Sequence, residues 1–331
     1  MKKILLLGSA LVAATSTLFA QTLTPAAAGI SAQQLFTSTP GFTITGLGFG
    51  SGSDIFYLET DGAFMAPTRL YRRDLTAGTV STLFTYTAAV FGSFVEVTGD
   101  KVYFGENSNG TVRSVNLDGS LPQLLATVPG NYDFELFGTD AYLSANPGGF
   151  NAQNTVTKLT IATGATDVIV NTADFSGPIT FDQNGALFYG ATGFAGVSDL
   201  YRFTAAEVAT AFGPTTLSLD AAHRVLANGG NSYFDFAGAQ PNQTRTFFGN
   251  DGSRLARVTG TASESYTEET IAVSPHSIGH IAATRDVAYV AVTDFATNRS
   301  AVYSVVPEPG STLLLAAGGT LVALRRRRDL Q

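Results

Sequence analysis

Three acidic side chains and one histidine recur at matching places in this chain, each within a short and mostly apolar segment. The segments read VEV, FEL, FDF and GHI, and two more of the same kind, ITG and ITF, carry a threonine instead. In chain order, the six central residues are Thr45, Glu96, Glu135, Thr180, Asp235 and His280.

If these segments surround one axis, three carboxylates and an imidazole face one another and repel unless water or a cation binds them. Oxygen-rich sites of this kind suit calcium, so the pattern predicts a calcium-binding ring. Without an ion, we expect the pKa values of the acids to rise. The alternative is that these polar residues hydrogen-bond to channel water and have a structural role only.

A repeated unit positions these segments. The unit contains a four-residue pattern of an apolar residue, two variable positions and a mostly apolar residue. The copies begin 42, 44, 44, 55 and 47 residues apart. They are Leu70–Arg73, Val112–Val115, Val156–Leu159, Leu200–Phe203, Leu255–Val258 and Val302–Val305. A period near 45 residues is the size of a four-stranded propeller blade.

The hairpin signals around each copy complete the blade. An aromatic or β-branched run ending in Asn, Asp or Gly precedes it, as in DKVYFGENSNG, and a turn with another strand follows several copies, as in NLDGSLPQLLATV. The last unit lacks its fourth strand, and Gln33–Thr39 resembles the outer strand of the second unit. We therefore expect an all-β, six-bladed β-propeller closed by an N-terminal strand. The rival architecture is a pair of β-sandwiches.

The second unit, residues 100–128, also resembles a YWTD-type propeller repeat, although its aromatic core differs from those letters. This resemblance supports six blades and implies no receptor-like function. The fourth unit carries an insertion, TAAEVATAFGP, in which Thr204 and Glu207 form a capping box before Gly213-Pro214. The insertion predicts one short helix on a loop.

Composition excludes several functions. Between residues 21 and 306 the chain has 13 Lys and Arg against 24 Asp and Glu, a net charge of −11, which disfavours nucleic acid and anionic lipid. The sequence has no cysteine, so disulfides, thiolate catalysis and zinc-thiolate sites are excluded. It contains neither a G-x-S-x-G elbow nor an H-E-x-x-H motif. We expect His223 to be structural, and Pro275 and Gly279 argue against a helical His276–His280 metal pair.

The two ends of the chain have the features of targeting segments. Near the N-terminus, two lysines precede an apolar run and a stretch of small residues, with a cleavage site expected after Ala20, which is typical of a secretory signal peptide. An N-terminal membrane anchor is the alternative. Residues 306–331 combine a VPEPG motif, an apolar stretch at 312–324 and an arginine cluster. That stretch of 13 residues spans roughly 20 Å as a helix, which is short for a permanent membrane anchor. Arginines at its end favour a body outside the inner membrane.

The C-terminal pattern resembles the PEP-CTERM sorting tail. The sorting motif is Val306, Pro307, Glu308, Pro309 and Gly310, and the membrane stop is Arg325, Arg326, Arg327 and Arg328. The resemblance implies recognition by an exosortase, cleavage near the Pro-Glu-Pro and delivery to the cell surface or exopolysaccharide matrix of a Gram-negative bacterium. A plain short anchor is the alternative.

These features predict three parts, namely a signal peptide at 1–20, a propeller at 21–305 and a sorting tail at 306–331. We expect signal peptidase and an exosortase as partners during export, with transient insertion of the tail in the membrane. The leading function is a non-enzymatic surface or matrix protein that binds an exopolysaccharide or another protein with one rim. The alternatives are an extracellular calcium-dependent hydrolase or lactonase that uses the channel ring, and a purely structural matrix component.

Overall fold

The architecture is a ring of six antiparallel sheets, seen in a computed structural model. The structure describes residues 22–50, 52–147, 154–173, 177–192, 198–213, 215–227, 235–238, 246–261, 265–284 and 287–307. The six-bladed, all-β propeller predicted by the repeat period is confirmed.

Blades 1 to 3 each contain four consecutive strands. Two short strands near the N-terminus precede them: β1 (Thr24–Pro25) and β2 (Ile30–Thr37). Blade 1 is β3 (Phe42–Phe49), β4 (Asp54–Asp61), β5 (Arg69–Asp74) and β6 (Val80–Thr85). Blade 2 is β7 (Gly92–Thr98), β8 (Lys101–Glu106), β9 (Thr111–Asn116) and β10 (Gln123–Thr127). Blade 3 is β11 (Asn131–Phe137), β12 (Asp140–Ala145), β13 (Asn154–Thr160) and β14 (Ala165–Ala173).

Blades 4 to 6 follow the same plan with additions. Blade 4 is β15 (Ile179–Phe181), β16 (Leu187–Thr192), β17 (Ser198–Phe203) and β19 (Arg224–Ala227), with α1 (Ala205–Thr210) and β18 (Leu217–Ser218) inserted before its last strand. Blade 5 is β20 (Asp235–Gly238), β21 (Thr246–Asn250), β22 (Arg254–Gly260) and β23 (Tyr266–Val273). Blade 6 is β24 (Ser277–Ala283), β25 (Ala288–Asp294) and β26 (Arg299–Pro307). The short strands β1 and β18 add to the edges of blades 5 and 3.

The N-terminal strand closes the ring, as predicted. Strand β2 pairs antiparallel with β26 and supplies the fourth strand of blade 6. Ser38 strengthens this closure, since its hydroxyl accepts a hydrogen bond of 2.8 Å from the Ser300 backbone N–H. Joining the two ends of the chain in one sheet leaves no open boundary between the first and last blades.

The hydrophobic core lies between neighbouring blades. Between blades 1 and 2, for example, Phe56 and Leu58 pack with Val102 and Phe104. Gly46 lets the inner strands β3 and β7 approach closely, because a Cβ there would lie 2.9 Å from the carbonyl carbon of Phe94. This packing accounts for the apolar runs in the repeated unit. Apolar residues of one blade pack against those of the next across each such junction.

The loops divide between two faces of the ring. Because successive strands run in opposite directions, loops between the second and third strands, and those leading to the next blade, lie on one face, called here the upper face. The remaining loops lie on the lower face. Strand β26 starts at the upper face and ends at the lower face with Pro307.

The predicted insertion forms the short helix α1. The Thr204 side chain accepts from the Glu207 N–H, and the Glu207 carboxylate accepts from the Thr204 N–H, which confirms the capping box. In the described ranges, no helix has the length and apolar character needed to cross a membrane. The predicted signal peptide, Glu308–Gly310 and the arginine cluster lie outside those ranges, while Val306 and Pro307 form the end of β26.

Candidate functional site

The inner strands enclose a cavity of about 60 Å³ on the ring axis. Four carboxyl groups and one imidazole line it together with apolar side chains. The polar residues are Glu96, Asp133, Glu135, Asp235 and His280. Four of the six residues predicted to form a ring therefore meet at one cavity, and Asp133 joins them.

Two of the acids fasten one blade to the next. Oδ2 of Asp133 on β11 accepts a hydrogen bond of 2.8 Å from the Ile179 N–H on β15. Oδ2 of Asp235 on β20 accepts one of 2.6 Å from the Ile281 N–H on β24. Each bond satisfies a buried backbone donor that the adjacent inner strand leaves unpaired, so these carboxyl groups hold blade 3 to blade 4 and blade 5 to blade 6.

Glu135 differs from these two aspartates. Its side chain lines the cavity and is only 6% exposed. Within the described part of the chain it makes no hydrogen bond and no ion pair. Burial raises the pKa of Glu135 well above its usual range, and the nearby charge of Glu96 raises it further.

Glu96 occupies the equivalent place on β7, because Glu96 faces Tyr103 across the sheet as Glu135 faces Tyr142. Burial raises the pKa of Glu96 to about 8, with a contribution from Asp235. The pKa of Asp133 also lies well above its usual range, first because of burial and then because of Asp235, against the effect of its hydrogen bonds. The cavity therefore favours the protonated forms of Glu96, Asp133 and Glu135 when only water is present.

His280 contributes a weak polar contact. Its Nδ1 lies 3.6 Å from Oδ2 of Asp235, which is too long for a hydrogen bond. A register shift in the pairing of β24 with β25, between Ile278 and Ile281, places His280 at an irregular part of the strand. His276 comes directly before β24, so the strand rules out a helical His276–His280 pair.

The two threonines of the predicted ring are not among the cavity-lining residues. Thr45 sits at a bulge between Ile44 and Gly46, and its hydroxyl lies 2.8 Å from that of Thr60 within blade 1. The extra residue of the bulge changes which face the side chain takes. Thr180 is fully buried, and its hydroxyl has no hydrogen-bond partner in the described ranges.

The donor chemistry and the geometry of the cavity lead to different expectations for a metal. Carboxyl oxygens are the ligands that calcium prefers, and the unpaired, buried Glu135 is chemically suited to such an ion. Yet among the residues whose placement is described, no three His, Asp or Glu side chains converge closely enough to hold a metal ion. Calcium binding would require the carboxyl groups to move together.

Sequence reasoning missed Asp133, although the segment NYDFELF contained the signal for it. Side chains two residues apart point to the same face of a strand, so Asp133 and Glu135 share one face of β11. The sequence did not show that Asp133 accepts a hydrogen bond from the Ile179 N–H of the next blade, as Asp235 does from the Ile281 N–H.

His223 lies away from the channel, between two acids. Its Nε2 is 3.1 Å from Oε1 of Glu207 on α1, and its Nδ1 is 2.8 Å from Oδ1 of Asp220. Burial lowers the pKa of His223, but the hydrogen bonds to Glu207 and Asp220 raise it more, so the pKa lies above its usual value. This arrangement ties the inserted helix to the loop before β19 and supports the predicted structural role.

Comparisons with known proteins show the fold. The chain matches no protein-family profile and no curated protein sequence. Its structure is similar to a gluconolactonase from Xanthomonas campestris, with a TM-score of 0.58 and 12% identity over 86% of this chain and 94% of that one.

Two further structures illustrate the range of proteins that share this architecture. The PQQ-bound aldose sugar dehydrogenase from Streptomyces coelicolor gives a TM-score of 0.58 with 14% identity, covering 85% of this chain and 99% of that one. A chain of the nidogen/laminin complex gives 0.55 with 11% identity, covering 73% and 85%. At such identities the likeness concerns the propeller fold alone.

Proposed function

We propose that this protein is an exported, non-enzymatic propeller, displayed at the cell surface or in the extracellular matrix, that binds its ligand with a rim. The small volume of the channel supports this proposal most directly. Pockets for drug-sized ligands hold roughly 300 to 1,000 Å³, whereas this cavity holds about 60 Å³. A channel of this size suits water or an ion better than a sugar ring, which favours the outer faces as the surfaces for a large ligand.

The export half of the proposal rests on the two ends of the sequence. A signal peptide at 1–20 and the VPEPG motif with its arginine cluster give the chain the pattern of an exosortase substrate. Strand β26 ends at Pro307, so the motif begins where the last blade ends. Cleavage near the motif would release the tail without removing the strands that close the ring.

The export proposal is tested by producing the full chain in isogenic cells with and without the exosortase and measuring the intact mass. We expect a loss of the residues after the Pro-Glu-Pro only when the exosortase is present. Retention of the tail in both strains contradicts the processing step.

The binding proposal is tested by a glycan array alongside a panel of ester and lactone substrates. We expect retention of a glycan with no turnover of any substrate. Hydrolysis that disappears in Glu135→Gln would instead support an enzyme.

A calcium-dependent hydrolase or lactonase is the second candidate, and the unpaired carboxyl group of Glu135 favours it. In this case Glu96, Glu135 and Asp235 would have to move together to supply oxygen ligands, and calcium would supply Lewis-acid chemistry when bound. Calorimetry with calcium chloride and thermal melting with and without EDTA test this candidate. The absence of both heat and a melting shift removes it.

A further inference from the structure

The upper face carries an exposed apolar surface that spans the junction of blades 1 and 2. It consists of Phe64, Met65 and Phe91, called here the aromatic rim. Their exposed fractions are 51%, 86% and 39%. The rings of Phe64 and Phe91 are stacked with centroids 6.2 Å apart, so two loops from neighbouring blades contribute to one surface.

The loop that carries Phe64 is held in an unusual conformation. Phe64 has a φ of 54°, in the left-handed region that bulky residues rarely adopt. The carboxylate of Asp61 fixes this loop, because it accepts hydrogen bonds from the N–H groups of Ala63, Met65 and Ala66. A strained backbone that is fastened at three points and turns an aromatic ring toward solvent has the character of a built binding surface.

The loop that carries Phe91 is also held by a hydrogen bond. The Phe91 N–H donates to the hydroxyl of Ser108 on the next upper loop, at 3.0 Å. On the other side, a Cβ on Gly62 would collide with Asn298, so the upper loop of blade 6 packs directly against this region. That loop carries Phe295, which is 66% exposed. Phe295 thus adds a third exposed aromatic side chain to the same face of the ring.

The acids of this region accept hydrogen bonds from their own loops. Besides Asp61, the carboxylate of Glu106 accepts from the Asn109 and Thr111 N–H groups, and that of Asp294 accepts from the Ala296 N–H and the Thr297 hydroxyl. Beside the aromatic rim, Ser108 and Asn109 are exposed and uncharged. Within the described residues, the surface thus pairs exposed apolar rings with uncharged hydroxyl and amide groups, while the carboxylates nearby are bound by donors of their own loops.

We propose that the aromatic rim is the binding site for a neutral polysaccharide, whose apolar ring faces contact the phenylalanines and whose hydroxyl groups bond to the flanking amide and hydroxyl groups. This inference rests on the proposed function and specifies its ligand. The direction of the chain is compatible with it, because β26 ends at the lower face, so the C-terminal side of the domain, before or after the tail is released, leaves the upper face open.

The test compares matched variants of the full-length chain in affinity electrophoresis and pull-down. The probes are dextran, glucomannan and cellulose, with alginate as the anionic comparator. The test variant is Phe64→Gly combined with Met65→Ser. Glycine removes the ring and accepts the left-handed backbone without strain. The control is Leu121→Gly, since Leu121 is 66% exposed and has a φ of 53°. It lies on the lower face, between β9 and β10.

We expect the wild type and Leu121→Gly to retain at least one neutral polysaccharide. The double variant should bind at least about tenfold more weakly, with unchanged melting temperature. Equal retention by the double variant overturns the inference but leaves the proposed binding function intact. Retention of alginate alone, or of no polysaccharide, also overturns it. Binding of a purified surface protein through the rim instead would identify a protein ligand.

Discussion

Carboxyl groups in the channel and at the turns of the rims show opposite behaviour in this propeller. In the channel, burial raises the pKa values of Glu96, Asp133 and Glu135. At the turns, hydrogen bonds from backbone N–H groups lower the pKa values of Asp61 and Asp74. The difference shows that the number of donors and the access to water, rather than the residue type, decide whether a carboxyl group stabilises this fold as an anion.

Within the channel itself, the comparison continues between acids that hold a backbone donor and acids that do not. Asp133 and Asp235 each accept a hydrogen bond from the next blade, whereas Glu135 has no such partner in the described ranges. Removing a carboxyl group of the first kind should destabilise the fold, and removing one of the second kind should stabilise it.

The largest effect is expected for Asp235→Ala. This substitution leaves the buried Ile281 N–H without its acceptor and should lower the free energy of unfolding by about 3 kcal/mol. Asp235→Asn is the matched control, because it removes the same charge but keeps an acceptor oxygen, and it should cost much less. Denaturant unfolding measures both. Equal losses for the two variants would show that the hydrogen bond is unimportant.

Glu135→Gln should raise the free energy of unfolding rather than lower it. A neutral side chain of the same shape avoids the buried charge, so we expect a gain of about 2 kcal/mol at pH 8. The gain should shrink toward pH 5, where the wild-type carboxyl group is protonated because its pKa is raised. Unfolding curves at the two pH values provide the measurement, and a loss of stability at pH 8 would contradict the assignment of Glu135 as an unpaired acid.

The pH dependence of the wild type should reflect both kinds of acid. The stabilisation from a raised pKa is complete below the unfolded value of 4.5 and is lost as pH rises through the folded value of about 8 for Glu96. The stabilisation from a lowered pKa, as for Asp61, is present above the unfolded value of 3.8 and is lost as pH falls through the folded value.

Thermal melts across pH 3 to 9 should therefore give a maximum near about pH 5. In the double variant Glu96→Gln, Glu135→Gln, the melting temperature should fall less steeply above the pH of maximum stability. Its pH dependence below that maximum should not change. A decline of equal steepness in this variant would mean that other groups control it.

The smallest change in stability is expected for a substitution of His223, whose ring lies between the carboxylates of Glu207 and Asp220. His223→Ala should cost about 1 kcal/mol below pH 6.5, because it removes the bonds to Glu207 and Asp220. Since the pKa of His223 is raised, its contribution is complete below the unfolded value of 6.5 and is lost as pH rises through the folded value. The pH at which the variant and the wild type converge, read from melts, checks this prediction.

Much of the architecture could be predicted from local patterns. The repeat spacing indicated six blades, and the missing last strand pointed to closure by residues 33–39, of which 33–37 lie in β2. The Thr204–Glu207 pair predicted the cap of α1. These features are local or periodic, so hydrophobic alternation and turn chemistry are sufficient to reveal them.

The candidate site was less accessible to sequence reasoning. Matching the inner strands by eye brought Glu96, Glu135, Asp235 and His280 to one cavity, but it also included Thr45 and Thr180 and omitted Asp133. A bulge displaces Thr45, and a single extra residue in a strand is not visible in an apolar pattern. The aromatic rim likewise depends on Phe64 and Phe91 meeting across two blades.

The sequence by itself determined the class of fold, the number of blades and how the ring closes, because repeated alternation of apolar residues and turn residues suffices for these. Only the tertiary structure decided which channel carboxyl groups receive a backbone hydrogen bond from the next blade and which, among the described residues, have none. That outcome depends on the register between neighbouring inner strands, and register is fixed by packing between segments about 45 residues apart in the chain.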